Sequence, residues 1–256
     1  MSASQTSPTL EDRQNLTRRP EGRTHVMYQS WQKLLFLHWK VDVDEIQKML
    51  PSGLKVDTFE GQAYVGVVPF YMRHIRPRFL PTAPWISNFL ELNVRTYVHD
   101  EKGQPGVWFF SLDTNRALAA YLGQRFFCMP YTQARMQAEQ TENGEIQYCC
   151  LRKGSAIEQQ ADYRYRGTGD VFTAEPGTLE YFLAERYLLF ASDTKREKLY
   201  TGRVYHPPYP LQKVELSSYS MEPIKQAGIS VTEQPPANAL YSEGVDVIAY
   251  PLRRVG

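Results

Sequence analysis

The chain of 256 residues contains only three cysteines, Cys128, Cys149 and Cys150. An odd number without framework spacing excludes a disulfide-stapled secreted scaffold and makes reduced thiols the expectation. Cys149 and Cys150 are neighbours, and neighbours in a strand point to opposite faces, so no vicinal pair is expected. Charge of one sign is scarce too: the formal net charge is +1. With no strong field of either sign, neither nucleic acid nor an anionic membrane is expected as a partner. No uninterrupted apolar run reaches the roughly 18–20 residues of a spanning helix. The N-terminal stretch "MSASQTSPTLEDRQNLTRRPEGR" has no apolar h-region and sets Glu11, Asp12 and Glu21 among its arginines, which argues against a leader. The expectation is a soluble cytoplasmic protein with a poorly ordered arm over 1–24 and one domain over 25–256.

Reactive motifs are also lacking. The histidines His25, His38, His74, His99 and His206 form no metal-ligand pattern, alone or with the cysteines. There is no G-x-S-x-G elbow, phosphate loop or dinucleotide fingerprint. No metal and no cofactor are expected. Aromatic residues are plentiful, with 17 Tyr, 12 Phe and 4 Trp. They favour strands and fill large cores or apolar pockets, so a mostly β protein follows.

Local patterns agree. "SWQKLLFLHWKV" (30–41) reads as a buried strand, and "DVDEIQKMLPSG" as a short helix capped by Asp42 or Asp44. "LKVDTFEGQAYVGVVPF" reads as two strands around Glu60-Gly61, and "RHIRPRFLPTAPWISN" as a proline-broken loop. "FLELNVRTYV" (89–98) alternates most regularly and joins "VWFFSLD" in a hairpin. A helix is expected from about Thr114 to Phe127, capped by Asp113 or Thr114 and ended by Pro130. Asn143-Gly144 marks a further hairpin. The helix-like "GTLEYFLAERYLLFAS" turns extended at its end, and later strands flank Pro207-Pro208 and close the chain. Many strands and a few short helices describe an α+β or barrel-like domain. A homodimer is compatible with exposed strand edges or aromatic patches, but no residue singles it out.

The strand at 89–98 allows two readings. Either Glu91, Asn93 and Arg95 face water while Leu90, Leu92 and Val94 face the core, or the polar face lines an interior. In the second reading Glu91 and Arg95 are close enough to perturb each other. Periodicity does not separate the two.

The motif order "LLFLHWKVD … LPSGLKVDTFEGQAYVGVVPF … NFLELNVRTYV … GVWFFSLD … MPY" resembles the YqjF-like bacterial family over roughly residues 31–250. That family is grouped with the acetoacetate decarboxylase-like superfamily. The resemblance implies a cone-shaped antiparallel β-barrel with flanking strands and a few short helices, and a pocket at the barrel mouth. It implies no particular activity. Glu91 stands where the decarboxylases carry a pocket glutamate. "SLDTNRALAAYLGQRFFCMPYT" matches their pattern at Leu112, Asp113, Ala117, Ala119, Arg125 and Pro130. Their two lysines fall on Tyr131 and Thr132.

That departure decides the chemistry. A desolvated lysine forms a Schiff base with a carbonyl substrate, and neither tyrosine nor threonine can. Between Lys55 and Lys153 the only lysine is Lys102, in the "DEKGQPG" turn. The expected site has Glu91 and Tyr131 as catalytic candidates, with Arg73, Arg95, Asp113, Arg125 and Thr132 as ligand-binding candidates. Arginine suits a bidentate contact to a carboxylate, and Glu91 suits proton transfer. The leading expectation is binding of a small, partly apolar organic acid or carbonyl compound without Schiff-base chemistry. The alternatives are a lyase, isomerase or hydrolase acting on a small oxo acid through Glu91, and a non-catalytic structural or interaction protein with a closed barrel.

Overall fold

The structure, a computed structural model, describes residues 7–193, 198–231 and 235–255, without the side chains of Pro84, Leu122, Arg125 and Phe126. Its strands are β1 (Met27–Val41), β2 (Leu54–Val56), β3 (Ala63–Pro77), β4 (Phe89–Asp100), β5 (Pro105–Thr114), β6 (Tyr131–Gln140) and β7 (Ile146–Arg152). They continue with β8 (Ala161–Phe172), β9 (Leu188–Asp193), β10 (Lys198–Tyr205), β11 (Leu211–Ser218), β12 (Asn238–Ala249) and β13 (Arg253–Arg254). The helices are α1 (Leu10–Thr17), α2 (Val43–Met49), α3 (Pro84–Ser87), α4 (Ala117–Phe127), α5 (Leu179–Ala184) and α6 (Glu222–Gln226). The protein is mostly β, as its aromatic and β-branched content predicts.

All the strands join one sheet, and the pairing runs in cycles. One cycle passes from β5 through β6, β7, β8, β11, β12, β1, β3 and β4 back to β5. A second uses β12, β1, β3, β4 and β5 again and returns through β9 and β10 to β12. The sheet is not purely antiparallel, because β5 pairs in parallel with both β6 and β9. Each of those two connections carries a helix between its strands or beside them, as a parallel pairing requires.

The shared strands bury both faces, which explains why β1 and β3 read as nearly continuous apolar runs. Leu35, Leu37 and Trp39 pack with Val65, Val67, Tyr148 and Tyr163 on one side. Leu34 and Phe36 pack with Val68, Phe70, Val204 and Val247 on the other.

Four local expectations change. β2 and β3 do not pair with each other; β2 adds to the far end of β4. The proline-rich stretch after Met72 is not loop throughout, because β3 continues to Pro77 against β1. α4 starts at Ala117 with Arg116 as its N-cap and no side-chain cap, since Asp113 is engaged elsewhere. The arm expected to be poorly ordered contains α1, capped by Thr9 in a reciprocal hydrogen-bond box with Asp12. Arg13 anchors that helix by two hydrogen bonds of 2.7 Å to the Asp57 carboxylate. Its amphipathicity is slight, so tertiary ion pairing rather than a hydrophobic stripe holds it, and a sequence pattern gives no signal for that.

Candidate functional site

Every residue of β4 is buried. Alternation sends Leu90, Leu92 and Val94 to one packed side and Phe89, Glu91, Asn93 and Arg95 to a cavity of about 300 Å³ on the other. The polar face of this strand therefore does not meet bulk water. The wall opposite comes from β1, β3, β5, β9, β10 and β12, the strands of the second cycle, with α3 and α4 at one side.

Tyr131 reaches the same cavity from the start of β6. α4 ends at Cys128 in the left-handed conformation, φ 50°, and its N–H bonds the Gly123 carbonyl. The chain then reverses so that Leu112 N–H donates to Pro130 O at 3.1 Å and Gln124 Nε2 donates to Tyr131 O at 2.6 Å. The Tyr131 ring packs against Gly123: a Cβ there would sit 2.3 Å from the ring. Tyr131 donates its hydroxyl to Glu91 Oε2 at 2.8 Å.

Burial pushes the Glu91 carboxyl up to about 7, against the pull of hydrogen bonds from Tyr131 and Asn93 and with help from the Asp113 charge. Burial and the adjacent Glu91 together raise Tyr131 far above the ordinary phenol range, so it stays a donor. A carboxyl near 7 beside a fixed donor can give or take a proton at neutral pH.

Arg95 is buried and lines the cavity. Its Nη2 donates to Leu183 O at 3.0 Å, and its guanidinium lies over the rings of Phe36 and Tyr97. Its Nε has no partner in the protein. Among the described residues no carboxylate pairs with it. Glu91 and Arg95 do not pair: the Arg95 head leans toward Tyr97 and Leu183. The Asn93 carbonyl oxygen is also buried without a partner.

The other candidates separate. Asp113 is off the cavity and receives Nε and Nη2 of Arg152 at 2.8 and 2.9 Å, so its carboxylate is committed to a structural pair. Arg73 lies over the Tyr71 ring in a separate groove with Asn88 and Arg116. Thr132 is opposite Asp113 on the parallel partner strand and does not line the cavity. The Arg125 side chain lies outside the described residues.

Arg76, from the "YMRHIRPR" stretch expected to offer the pocket an arginine, lines the cavity, and Arg186 and Arg203 line it without having been anticipated. Arg186 pairs with Asp57 at 2.9 Å. Arg203 donates to Tyr187 O and to the α1 end at Leu16 O and Arg18 O. Both are remote in sequence from β4, so only the strand order brings them there. Among the lining residues described there is no lysine.

The chain has an acetoacetate decarboxylase-like fold. Solved structures with this fold include the enduracididine biosynthesis enzyme MppR complexed with pyruvate, at TM-score 0.64 and 12% identity, covering 100% of this chain and 93% of that one. They also include acetoacetate decarboxylase from Legionella pneumophila, at TM-score 0.63 and 14% identity, covering 100% of this chain and 98% of that one. The chain belongs to the DUF2071 family, described as an uncharacterized conserved protein, whose pattern matches residues 28–246. It is 40% identical over 231 residues to the uncharacterized protein YqjF of Bacillus subtilis (strain 168), covering 90% of this chain and 92% of that protein.

Proposed function

We propose that the protein binds a small organic acid or carbonyl compound in the cavity between β4 and α4, and that it does so without a Schiff-base lysine. The two strand cycles are proposed to be cone-shaped barrels sharing five strands, with the ligand in the second. The single observation that carries this reading is Arg95. A buried guanidinium with an unpartnered Nε and no acid beside it is costly unless an anion completes it. A carboxylate matches its planar donors. A fold neighbour whose structure holds pyruvate supports the same ligand class.

The Glu91 carboxyl near 7 favours a second reading on top of binding. Glu91 transfers a proton to or from carbon next to the ligand's carbonyl, while Tyr131 and Asn93 hold its carboxyl in place. The reaction class is then a lyase or isomerase step on an oxo acid. The reading places the protein in the cytoplasm, where such metabolites and reduced thiols occur together.

Thermal unfolding with a panel of carboxylates and ketones tests the proposal. Binding to the native state raises Tm by mass action, with about 2.7 kcal/mol of stabilisation at a hundredfold excess over Kd. Carboxylates are expected to raise it in wild type and not in Arg95→Met. A panel in which no carboxylate shifts wild type sinks the binding reading. Turnover unchanged in Glu91→Gln sinks the proton-transfer role, which predicts a loss of about a hundredfold or more.

A further inference from the structure

The net charge of +1 conceals an uneven placement of charge. Residues 71–90 contain Arg73, Arg76 and Arg78 and no acid, and residues 114–127 contain Arg116 and Arg125 and no acid. The two segments are neighbours in space. Leu90 N–H, just beyond α3, donates to Asn115 Oδ1, just ahead of α4, at 3.0 Å. Asn88 and Arg116 share one groove. Arg78 N–H donates to Val26 O at 2.9 Å. Burial, and then the charges of Arg78, Arg19 and Arg76, push His25 below its ordinary range, so the N-terminal segment adds an arginine to the same side. Among the described residues no carboxylate pairs with Arg19, Arg73, Arg76, Arg78 or Arg116.

The same two segments carry six of the ten large apolar side chains left exposed among the described residues. Phe79 is 86% and Trp85 71% exposed, with Leu80 and Ile86 next to them in the chain. Leu118 and Tyr121 are exposed one turn apart on α4. Ile86 and Leu118 also line the cavity, so the cluster borders its rim. Apolar side chains scattered singly are ordinary on a surface, whereas a cluster rimmed by polar groups marks an interaction site.

We propose that this face docks on the surface of an anionic lipid bilayer, with its aromatic and aliphatic side chains in the interfacial layer and its arginines on the headgroups. The charge selects this occupant. A second copy of this chain, paired about a two-fold axis, would set these arginines against the same arginines of its partner. A nucleic acid stacks on rings such as Phe79, Trp85 and Tyr121, but Leu80, Ile86 and Leu118 offer it no stacking face. Tryptophan and tyrosine, leucine and isoleucine, and unpaired arginines are the set that belongs at the boundary between headgroups and acyl chains. Among the described residues no helix is long and apolar enough to cross a membrane, so the contact lies on the bilayer surface. The sum of charges gives no sign of it, because the balancing acids lie elsewhere on the chain.

Co-sedimentation of the full chain with phosphatidylcholine vesicles, with and without phosphatidylserine, tests this. Binding is expected to be at least about tenfold stronger with phosphatidylserine, and to be released as salt rises from about 0.15 M to about 1 M. Arg116→Gln is expected to weaken it about fivefold, the effect of one arginine near an anionic surface. Phe79→Ser combined with Trp85→Ser is expected to weaken it at least about tenfold. Ile157→Ser, at an exposed residue outside both segments, should leave it unchanged. These side chains are exposed, so every variant is expected to unfold at the wild-type temperature. A reading that needs no disruptive change is quenching of wild-type fluorescence by phosphatidylserine brominated in its acyl chains, lost in Trp85→Phe, which still sediments. Sedimentation with neither vesicle, or equally with both, overturns the proposal. So does binding that Phe79→Ser with Trp85→Ser leaves intact. A dimer that this double variant dissociates, with no sedimentation on vesicles, overturns it in favour of a second copy.

Discussion

The Tyr131 hydroxyl donates to Glu91 across 2.8 Å, although β4 and β6 do not pair with each other and the two residues are 40 positions apart in the chain. β5 lies between them, antiparallel to β4 and parallel to β6. The contact crosses over this shared neighbour and depends on how α4 returns the chain. Several consequences can be measured.

Glu91 makes wild-type stability fall with rising pH. Its carboxyl is raised from 4.5 to about 7 in the folded state by burial, so between those values the native state holds a proton that the unfolded state has released. Stability from this group is full below about 4.5 and is lost as pH rises through about 7. A shift of this size corresponds to about 3 kcal/mol at most. Glu91→Gln cannot titrate, so its stability relative to wild type is expected to improve between pH 5 and pH 8 in chemical denaturation. A constant difference across that range refutes the assignment.

Gly123→Ala is expected to act on Tyr131. The added methyl would overlap the ring at 2.3 Å, so the ring must move and its bond to Glu91 is lost. Overpacking of this kind costs about 1–3 kcal/mol. Ligand binding should fall as far as in Tyr131→Phe, and the double variant should bind no worse than Tyr131→Phe alone. Additive losses in calorimetry would show that Gly123 does not work through Tyr131.

Arg152→Met separates architecture from ligand contact. It leaves the Asp113 carboxylate, 2% exposed, without its bidentate partner. Breaking such a pair costs about 3 kcal/mol, and Asp113→Asn with Arg152→Met should recover part of that. Carboxylate affinity at a temperature where the variant is folded should match wild type.

Asp57 ties α1 to the cavity wall, because it pairs with both Arg13 and Arg186. Burial works against its ionised form, but the Arg186 and Arg13 guanidiniums outweigh that and hold the carboxyl below the usual range. The stability it contributes is therefore lost as pH falls through that depressed value. In Asp57→Asn, trypsin cleavage within α1 is expected to quicken about tenfold, the factor for roughly 1.4 kcal/mol of lost closure when opening is fast. Equal cleavage rates in wild type and variant would show that α1 is held otherwise.

Borohydride reduction in the presence of pyruvate or acetoacetate should leave the intact mass unchanged, since no lysine is among the described lining residues. An adduct would establish an imine and reverse the chemistry.

Much of the cavity lining was legible one strand at a time. Alternation in "FLELNVRTYV" put Glu91, Asn93 and Arg95 on one face and the aliphatics on the other, and "NFLELNV" and "CMPYT" marked Glu91 and Tyr131. The same local reading could not show that Asp113, Arg73 and Thr132 lie off the cavity. Asp113 meets Arg152 from a strand that returns 39 residues later, and no periodicity encodes a pairing between distant side chains. Arg186 and Arg203 went unnoticed for the same reason. Helix α1, with no buried residue of its own, carries no hydrophobic signal at all.

The sequence by itself determined a β-rich chain with alternating strands, a hairpin at Asn143-Gly144, and tyrosine and threonine where a lysine pair would be needed for imine chemistry. Those are properties of neighbouring residues and of residue identity. Only the tertiary structure decided which side of β4 is enclosed, because alternation fixes which residues share a face but not what covers it. Cyclic pairing of β12, β1, β3, β4, β5, β9 and β10 covers that face, and desolvation there turns an ordinary glutamate into a carboxyl near 7 and an ordinary arginine into an unpaired buried cation.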